Sequence, residues 1–215
     1  MTNRIFAIGD IHGCHEKLHY LLRRIPADPD SDELIFIGDY IDRAVGGPEV
    51  VRCVLELCRS FRRVVCLCGN HESMLLNYLK GIDEDLYLAN GGVATLKAYG
   101  IKSSDAMHER IARIPEEHMR FFKTLMPYYE TERFIFVHAG LLPGRPLSSQ
   151  SEYDMQWIRQ EFIESRYHFG KRVVFGHTRL SEPLVAENKI GIDTGAVYGG
   201  KLTCVELPSI RFYQV

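Results

Sequence analysis

Hydrophobic positions along the chain follow two rhythms. Short continuous apolar runs, such as Ile5–Ile8 and Leu34–Ile37, alternate with stretches in which apolar residues return every three or four positions. Leu18, Leu21, Leu22 and Ile25 sit at i, i+3, i+4 and i+7, which predicts an amphipathic helix after Gly13 that ends at Pro26. Pro48 opens a second helix with Val50, Val51, Val54, Leu55 and Cys58 facing inward. Residues 1–80 thus read strand–helix three times over, the pattern of an α/β sheet covered by helices. From Gly81 to Glu132 the rhythm is helical and more polar, with "NGGVATLKAYG" (Asn90–Gly100) as its Gly-rich punctuation. Residues 81–132 are therefore expected to be a helical insertion within one domain spanning 1–215. Strands return at Arg172–Phe175, Ile190–Asp193, Leu202–Leu207 and Ile210–Tyr213.

The apolar runs end in an unusual way. "RIFAIGDIHG" (from Arg4), "ELIFIGDYIDR" (from Glu33), "RVVCLCGNHES" (from Arg63), "RFIFVHAG" (from Arg133) and "RVVFGHT" (from Arg172) each stop at Asp, Asn or His. A lone Asp there is usually a turn residue, and a lone His a hydrogen-bonded structural one. Five such endings in succession leave little room for that reading. Ligands of α/β sheets collect at the carboxyl ends of strands. Glycines such as Gly9 and Gly13 let the loops turn sharply and approach one another. The converging set is Asp10, His12, Asp39, Asn70, His138 and His177. Two carboxylates, three imidazoles and one amide suit a pair of borderline divalent cations, with Asp39 shared between them. Two such ions held about 3.5–4 Å apart acidify water and clamp the oxygens of an in-line displacement. Their surplus positive charge, reinforced by Arg43, suits attack on a phosphate ester.

Composition narrows the classes. At 215 residues with 46% hydrophobic and 25% charged, the chain fits a soluble domain with a substantial core. A net charge of −2 offers no general attraction to nucleic acid, so no nucleic-acid binding is expected. No apolar run approaches the roughly 18–20 residues of a membrane helix, and no basic-then-apolar leader precedes Arg4. Six cysteines without CxxC pairs are expected to be reduced, largely buried thiols of a cytoplasmic protein. Cys14, directly after the first motif, reads as a half-buried helix-start residue, or as a thiol that could make activity oxidation-sensitive. His15, His19, His108, His118 and His168 lack strand-end placement and take ordinary structural roles.

In their order, "GDIHG", "GDYIDR", "GNHE", "HAG" and "GHT" resemble the phosphoprotein-phosphatase branch of the calcineurin-like metallophosphoesterases. "WIRQEF" (Trp157–Phe162) and "IDTGAVYGGKLT" (Ile192–Thr203) are similar to the compact bacterial and phage Ser/Thr protein phosphatases. The resemblance implies a four-layer α/β/β/α sandwich and two divalent metal ions, usually Mn²⁺ in the isolated enzyme, with iron or zinc as alternatives. It implies that Asp10, His12 and Asp39 bind one metal, and Asp39, Asn70, His138 and His177 the other. His71 would be the general acid, oriented by Asp42, while Arg43 and Arg159 would hold phosphate oxygens. An alkoxide from Ser or Thr leaves poorly, so protonating it matters, and planar guanidinium groups match phosphate. The implied partner is a phosphoprotein or phosphopeptide. Symmetrical bis(5'-nucleosyl)-tetraphosphatases share the scaffold but typically carry Ala for the second Asp of "GDYIDR" and "GNHD" for "GNHE". Non-catalytic scaffolds of this fold have lost ligands that this chain retains. The chain departs from the family at "DRAVGGPEV", where Ala44 replaces a glycine and the loop is about two residues longer.

Overall fold

Side-chain alternation along each strand decides which layer it faces. A computed structural model describes residues 4–215. In its first part the chain runs β1 (Ile5–Ile8), α1 (His15–Arg24), β2 (Glu33–Phe36), α2 (Gly47–Ser60), β3 (Arg63–Cys66) and α3 (Asn70–Tyr78). It continues through α4 (Glu84–Ala89), α5 (Val93–Ala98), α6 (Met107–Arg113) and α7 (Glu116–Thr124) into β4 (Tyr128–Glu130) and β5 (Phe134–Val137). Then follow α8 (Glu152–Trp157), α9 (Gln160–Ile163), β6 (Arg172–Phe175), β7 (Leu184–Val185), β8 (Lys189–Gly191), β9 (Asp193–Thr194), β10 (Lys201–Leu207) and β11 (Arg211–Gln214).

Two sheets result. One has the order β11–β10–β1–β2–β3 with β9 paired to β10, and the other β4–β5–β6–β8–β7. Phe6, Ile8, Leu34 and Phe36 face helices α1 and α2 through Leu18, Leu21, Val50 and Val54. Their strand neighbours Ala7, Ile35 and Ile37 turn the other way, onto Phe134, Phe136 and Val174 of the second sheet. Ile135, Val137, Val173 and Phe175 leave that sheet on its far side and meet Met155 and Phe162. Three apolar interfaces separate four layers, so the fold is the α/β/β/α sandwich. Periodicity alone indicated a helix-covered sheet; the second sheet depends on non-local pairing that it cannot encode.

Three local expectations are corrected. The stretch 81–132 is helical only as far as Thr124. Its end forms β4, whose aromatic Tyr128 and Tyr129 suit a strand and pair with Val137 and Phe136. The strand expected at Ile190–Asp193 is two pieces: β8 lies in the second sheet and β9 in the first, the chain crossing between them at Ile192. Cys58 faces Cys66 of β3 but is exposed, not buried, and of the six free cysteines Cys204 alone is fully buried. In the described residues no helix is long and apolar enough to cross a membrane.

Candidate metal centre

Register aligns the ends of the strands. Ile8 lies opposite Phe36, and Phe36 opposite Cys66, so the loops after β1, β2 and β3 emerge side by side. Those after β5 and β6 arrive from the second sheet. Close approach here demands glycine at two points. A Cβ on Gly69 would collide with the Asp39 carboxylate, and one on Gly176 with that of Asp10. The loops are also held in uncommon backbone states: His12, Asp39, Asp42, Arg43 and His177 all have positive φ, between 47° and 70°. Such conformations cost energy in residues other than glycine and persist where surrounding structure enforces them.

The predicted ligands meet around Asp39. Its Oδ2 lies 3.3 Å from His12 Nε2, and its Oδ1 3.5 Å from His138 Nε2. Ligand atoms of His12, Asp39 and His71 fall within 4.8 Å of one another, as do those of Asp39, His138 and His177. Asn70 Oδ1 stands 3.1 Å from His138 Nε2. Asp10 lies beneath His177, accepting its backbone N–H at 2.9 Å. All six predicted ligands are buried.

Backbone carbonyls aim the imidazoles. His12 Nδ1–H donates to the Ile41 carbonyl and His138 Nδ1–H to the Ile37 carbonyl, each at 2.9 Å, which leaves Nε2 of both rings as a lone-pair donor. Burial lowers the pKa of His138, and burial, then neighbouring His138, lowers that of His177 to about 2. Asp39 is opposed by its own burial, but His138, His71 and His12 outweigh it and keep its carboxyl well below the usual range.

Whether these residues fit a cation is decided by what they leave unsatisfied. Among the described residues, buried Asp10 Oδ1 and His177 Nε2 have no hydrogen-bond partner. His138 Nε2 turns its lone pair toward two oxygen acceptors, those of Asn70 and Asp39. Electron-rich atoms pointed at one another and buried without donors are costly unless a positive ion lies among them. The set fits divalent cations.

Beside it is a second constellation. Buried His71 shares a 2.7 Å hydrogen bond with Asp42 through Nδ1, while its Nε2 has no partner among the described residues and lies 4.0 Å from Asp39 Oδ2. Burial disfavours the imidazolium, yet Asp39 and hydrogen-bonded Asp42 prevail, and the His71 pKa is raised. Asp42 is itself held from the insertion. Tyr87 donates its hydroxyl to Asp42 Oδ1 at 2.8 Å, and the Asp42 N–H donates to Thr95 Oγ1 at 2.9 Å. Arg43 donates its backbone N–H to the Gly91 carbonyl, and its guanidinium reaches His12 Nε2 despite the longer loop. Arg159 is exposed at the rim, donating to the His177 carbonyl at 3.2 Å.

Sequence reasoning missed several of these parts. Tyr87 and Thr95 lie in an insertion with no motif to mark them. Glu72 was visible only as a letter of "GNHE". Fully buried, it accepts the N–H groups of Asp39, Tyr40 and Gly69 and so ties the second and third loops together. The glycine-then-Glu spacing of a helix start was its available signal. Cys14 is the half-buried N-cap of α1, and burial pushes its thiol pKa up, against easy oxidation. Of the remaining histidines, His118 is buried and hydrogen-bonded to the Tyr99 hydroxyl at 2.8 Å.

Residues 3–199 match the calcineurin-like phosphoesterase family. The chain is 32% identical over 214 residues to serine/threonine-protein phosphatase 1 of Salmonella typhimurium, covering 94% of this chain and 91% of that one. It is 27% identical over 233 residues to an asymmetrical bis(5'-nucleosyl)-tetraphosphatase of Bacillus cereus, covering 97% and 92%. Among solved structures, a candidate diadenosine tetraphosphatase superposes with a TM-score of 0.76 at 25% identity, over 100% of this chain and 94% of that one. A cold-active protein-tyrosine phosphatase of a psychrophilic Shewanella shares the fold, with a TM-score of 0.67 at 16% identity over 99% and 80% of the two chains. With strand ends that gather cation ligands and a family match over nearly its whole length, the chain belongs to the calcineurin-like phosphoesterases, metal-dependent hydrolases of phosphate esters.

Proposed function

We propose that this phosphoesterase is a serine/threonine protein phosphatase. The observation that carries the reading is the buried Asp42–His71 pair with the unpartnered His71 Nε2 beside Asp39. A seryl or threonyl alkoxide needs a proton as it departs, and a raised-pKa imidazole held at its far nitrogen is built to give one. His71 is then the catalytic acid and Asp42 the group that orients it. Arg43 and Arg159 hold the phosphate oxygens with charged, planar donors. Asp10, His12 and Asp39 would hold one metal, and Asp39, Asn70, His138 and His177 the other, with Mn²⁺ the expected ion. Held there, the ions would supply an acidified water for attack on phosphorus and would offset charge on the phosphate. Residues 81–132 work with the rest as one unit, since Tyr87 and Thr95 support the acid. The partner is a phosphoprotein, met in the cytoplasm.

A second reading has its own support: hydrolysis of dinucleoside tetraphosphates, the activity named for the Bacillus cereus relative and for the structure at 25% identity. The relative is named asymmetrical, whereas the sequence suggested the symmetrical enzymes as the rival. A nucleotide leaving group is a weak base and needs far less protonation than an alkoxide, so the Asp42–His71 pair favours the first reading. The test compares kcat/KM for phosphoserine and phosphothreonine peptides with that for diadenosine tetraphosphate, with Mn²⁺ present. Faster peptide turnover is expected. Faster cleavage of the tetraphosphate than of every peptide would overturn the assignment, and ATP with AMP, as against two ADP, would identify the cleavage mode.

A further inference from the structure

Between α8 and the junction of α3 with α4 lies a cavity of about 460 Å³ that the proposed chemistry does not use. Asn77, Asp83, Glu152, Tyr153, Gln156 and Trp157 are among the residues lining it. The α8 members Tyr153, Gln156 and Trp157 fall on one helical face by their spacing. Tyr153 is 71% exposed and stacks on Trp157, with ring centroids 6.2 Å apart and planes 24° from parallel. Trp157 in turn meets His177 edge-on at 6.0 Å, so the aromatic pair leads outward from the candidate metal centre. Gln156, 7% exposed, places its side-chain amide along the same lining.

Charge selects the ligand. Among the described residues neither Asp83 nor Glu152 forms an ion pair, and no Lys or Arg lines the cavity. A phosphate would be repelled here, and a nucleobase would leave both carboxylates unmatched. A guanidinium or ammonium answers every feature at once: the ring faces attract it, the carboxylates pair with it, and the Gln156 carbonyl oxygen accepts from it. We propose that this cavity receives the side chain of a basic residue in the phosphoprotein substrate, a site that rests on the protein-phosphatase reading above. Two ring-to-ring steps from His177, at about 3.3 Å per extended residue, place that basic residue roughly two to four positions from the phosphoresidue.

The experiment walks a single Arg through a neutral phosphoserine peptide, from four positions before the phosphoserine to four after it. Phosphate release by the Mn²⁺-loaded enzyme is measured at each position. Arg at one or two adjacent positions should raise kcat/KM about tenfold over Ala, mostly through KM. The double variant Asp83→Asn/Glu152→Gln should erase that advantage while turnover of p-nitrophenyl phosphate, too small to reach the cavity, shows the centre intact. Peptides cleaved with no favoured Arg position, or a preference that survives the double variant, would overturn the subsite and leave the phosphatase assignment standing. An enzyme that cleaves no phosphopeptide but turns over diadenosine tetraphosphate would overturn both. In that case, a raised KM for the tetraphosphate in the double variant would assign the cavity to a nucleoside instead.

Discussion

Asp32 and Asp10 are buried to nearly the same degree, 5% and 3% exposed, at opposite ends of the first sheet, and they are treated in opposite ways. Asp32 accepts from Arg4 through its backbone N–H (3.2 Å), Nε (3.3 Å) and Nη2 (2.6 Å), and from the Asp28 N–H (2.8 Å). Burial alone would raise its pKa, but Arg4 and the Asp28 amide overcome it and the carboxyl is shifted down. Asp10 accepts from the His177 N–H, and its other oxygen has no partner among the described residues. Burial, then Asp193 and Asp39, push its carboxyl well above the usual range. At one end the protein neutralises its own charge. At the other it leaves charge uncompensated and bends the backbone to do so, since five of the seven non-glycine residues with positive φ among the described residues belong to the candidate centre. A carboxylate kept buried without a counter-charge is stable only with a ligand that brings one.

The largest effect at the uncompensated end should come from His71→Asn. As loss of the general acid, it should lower kcat by roughly 10²–10⁴-fold while metal content stays intact. The loss should be greater for phosphoserine peptides than for p-nitrophenyl phosphate, whose leaving group needs less protonation. Equal losses would point to positioning rather than proton donation. Tyr87→Phe removes the 2.8 Å donor to Asp42 and should lower kcat on phosphoserine peptides about tenfold, with KM nearly unchanged. An effect confined to KM would detach the insertion from the acid pair.

The smallest effect tests the comparison itself, by urea unfolding of metal-free protein. Asp32→Asn should destabilise by about 1 kcal/mol, an amount kept small because Arg4 is partly solvated. Because its folded pKa is lowered, the Asp32 contribution is present above the usual carboxylate range and fades as pH falls through it. Asp10 carries the opposite sign. With its folded pKa raised, its ionised form costs stability as pH rises above about 4, so Asp10→Asn should stabilise metal-free protein at neutral pH. Two variants of like sign would erase the distinction between the ends.

Much of this candidate centre could be read in the sequence because each of five apolar strands ends in a candidate ligand. Asp10, His12, Asp39, Asn70, His138 and His177 were visible in that way, and the register of β1, β2 and β3 set the first four side by side. What stayed hidden depends on contacts far apart along the chain. Tyr87 is 45 residues from Asp42, and no local pattern distinguishes it from a core tyrosine. Tyr128–Glu130 became a strand only because Val137 and its neighbours offered an edge. Chemistry carried by the main chain was hidden too: the Ile37 and Ile41 carbonyls that aim two imidazoles have no sequence signature. Cys58 followed the helical rhythm and faces Cys66 of β3, yet it stays exposed because it lines an open cleft beside Phe121 and Leu125.

Counting bound metal against recovered activity is the most direct test that this end of the molecule is built around a cation pair shared by Asp39. Metal-stripped enzyme is titrated with Mn²⁺, bound ion per chain and hydrolysis of p-nitrophenyl phosphate are followed together, and Asp39→Asn is run alongside. Two ions per chain should bind, activity should rise with the occupancy of both, and Asp39→Asn should lose binding at both positions. Saturation at a single ion, Asp39→Asn with full occupancy, or full activity in verified metal-free enzyme would contradict the account.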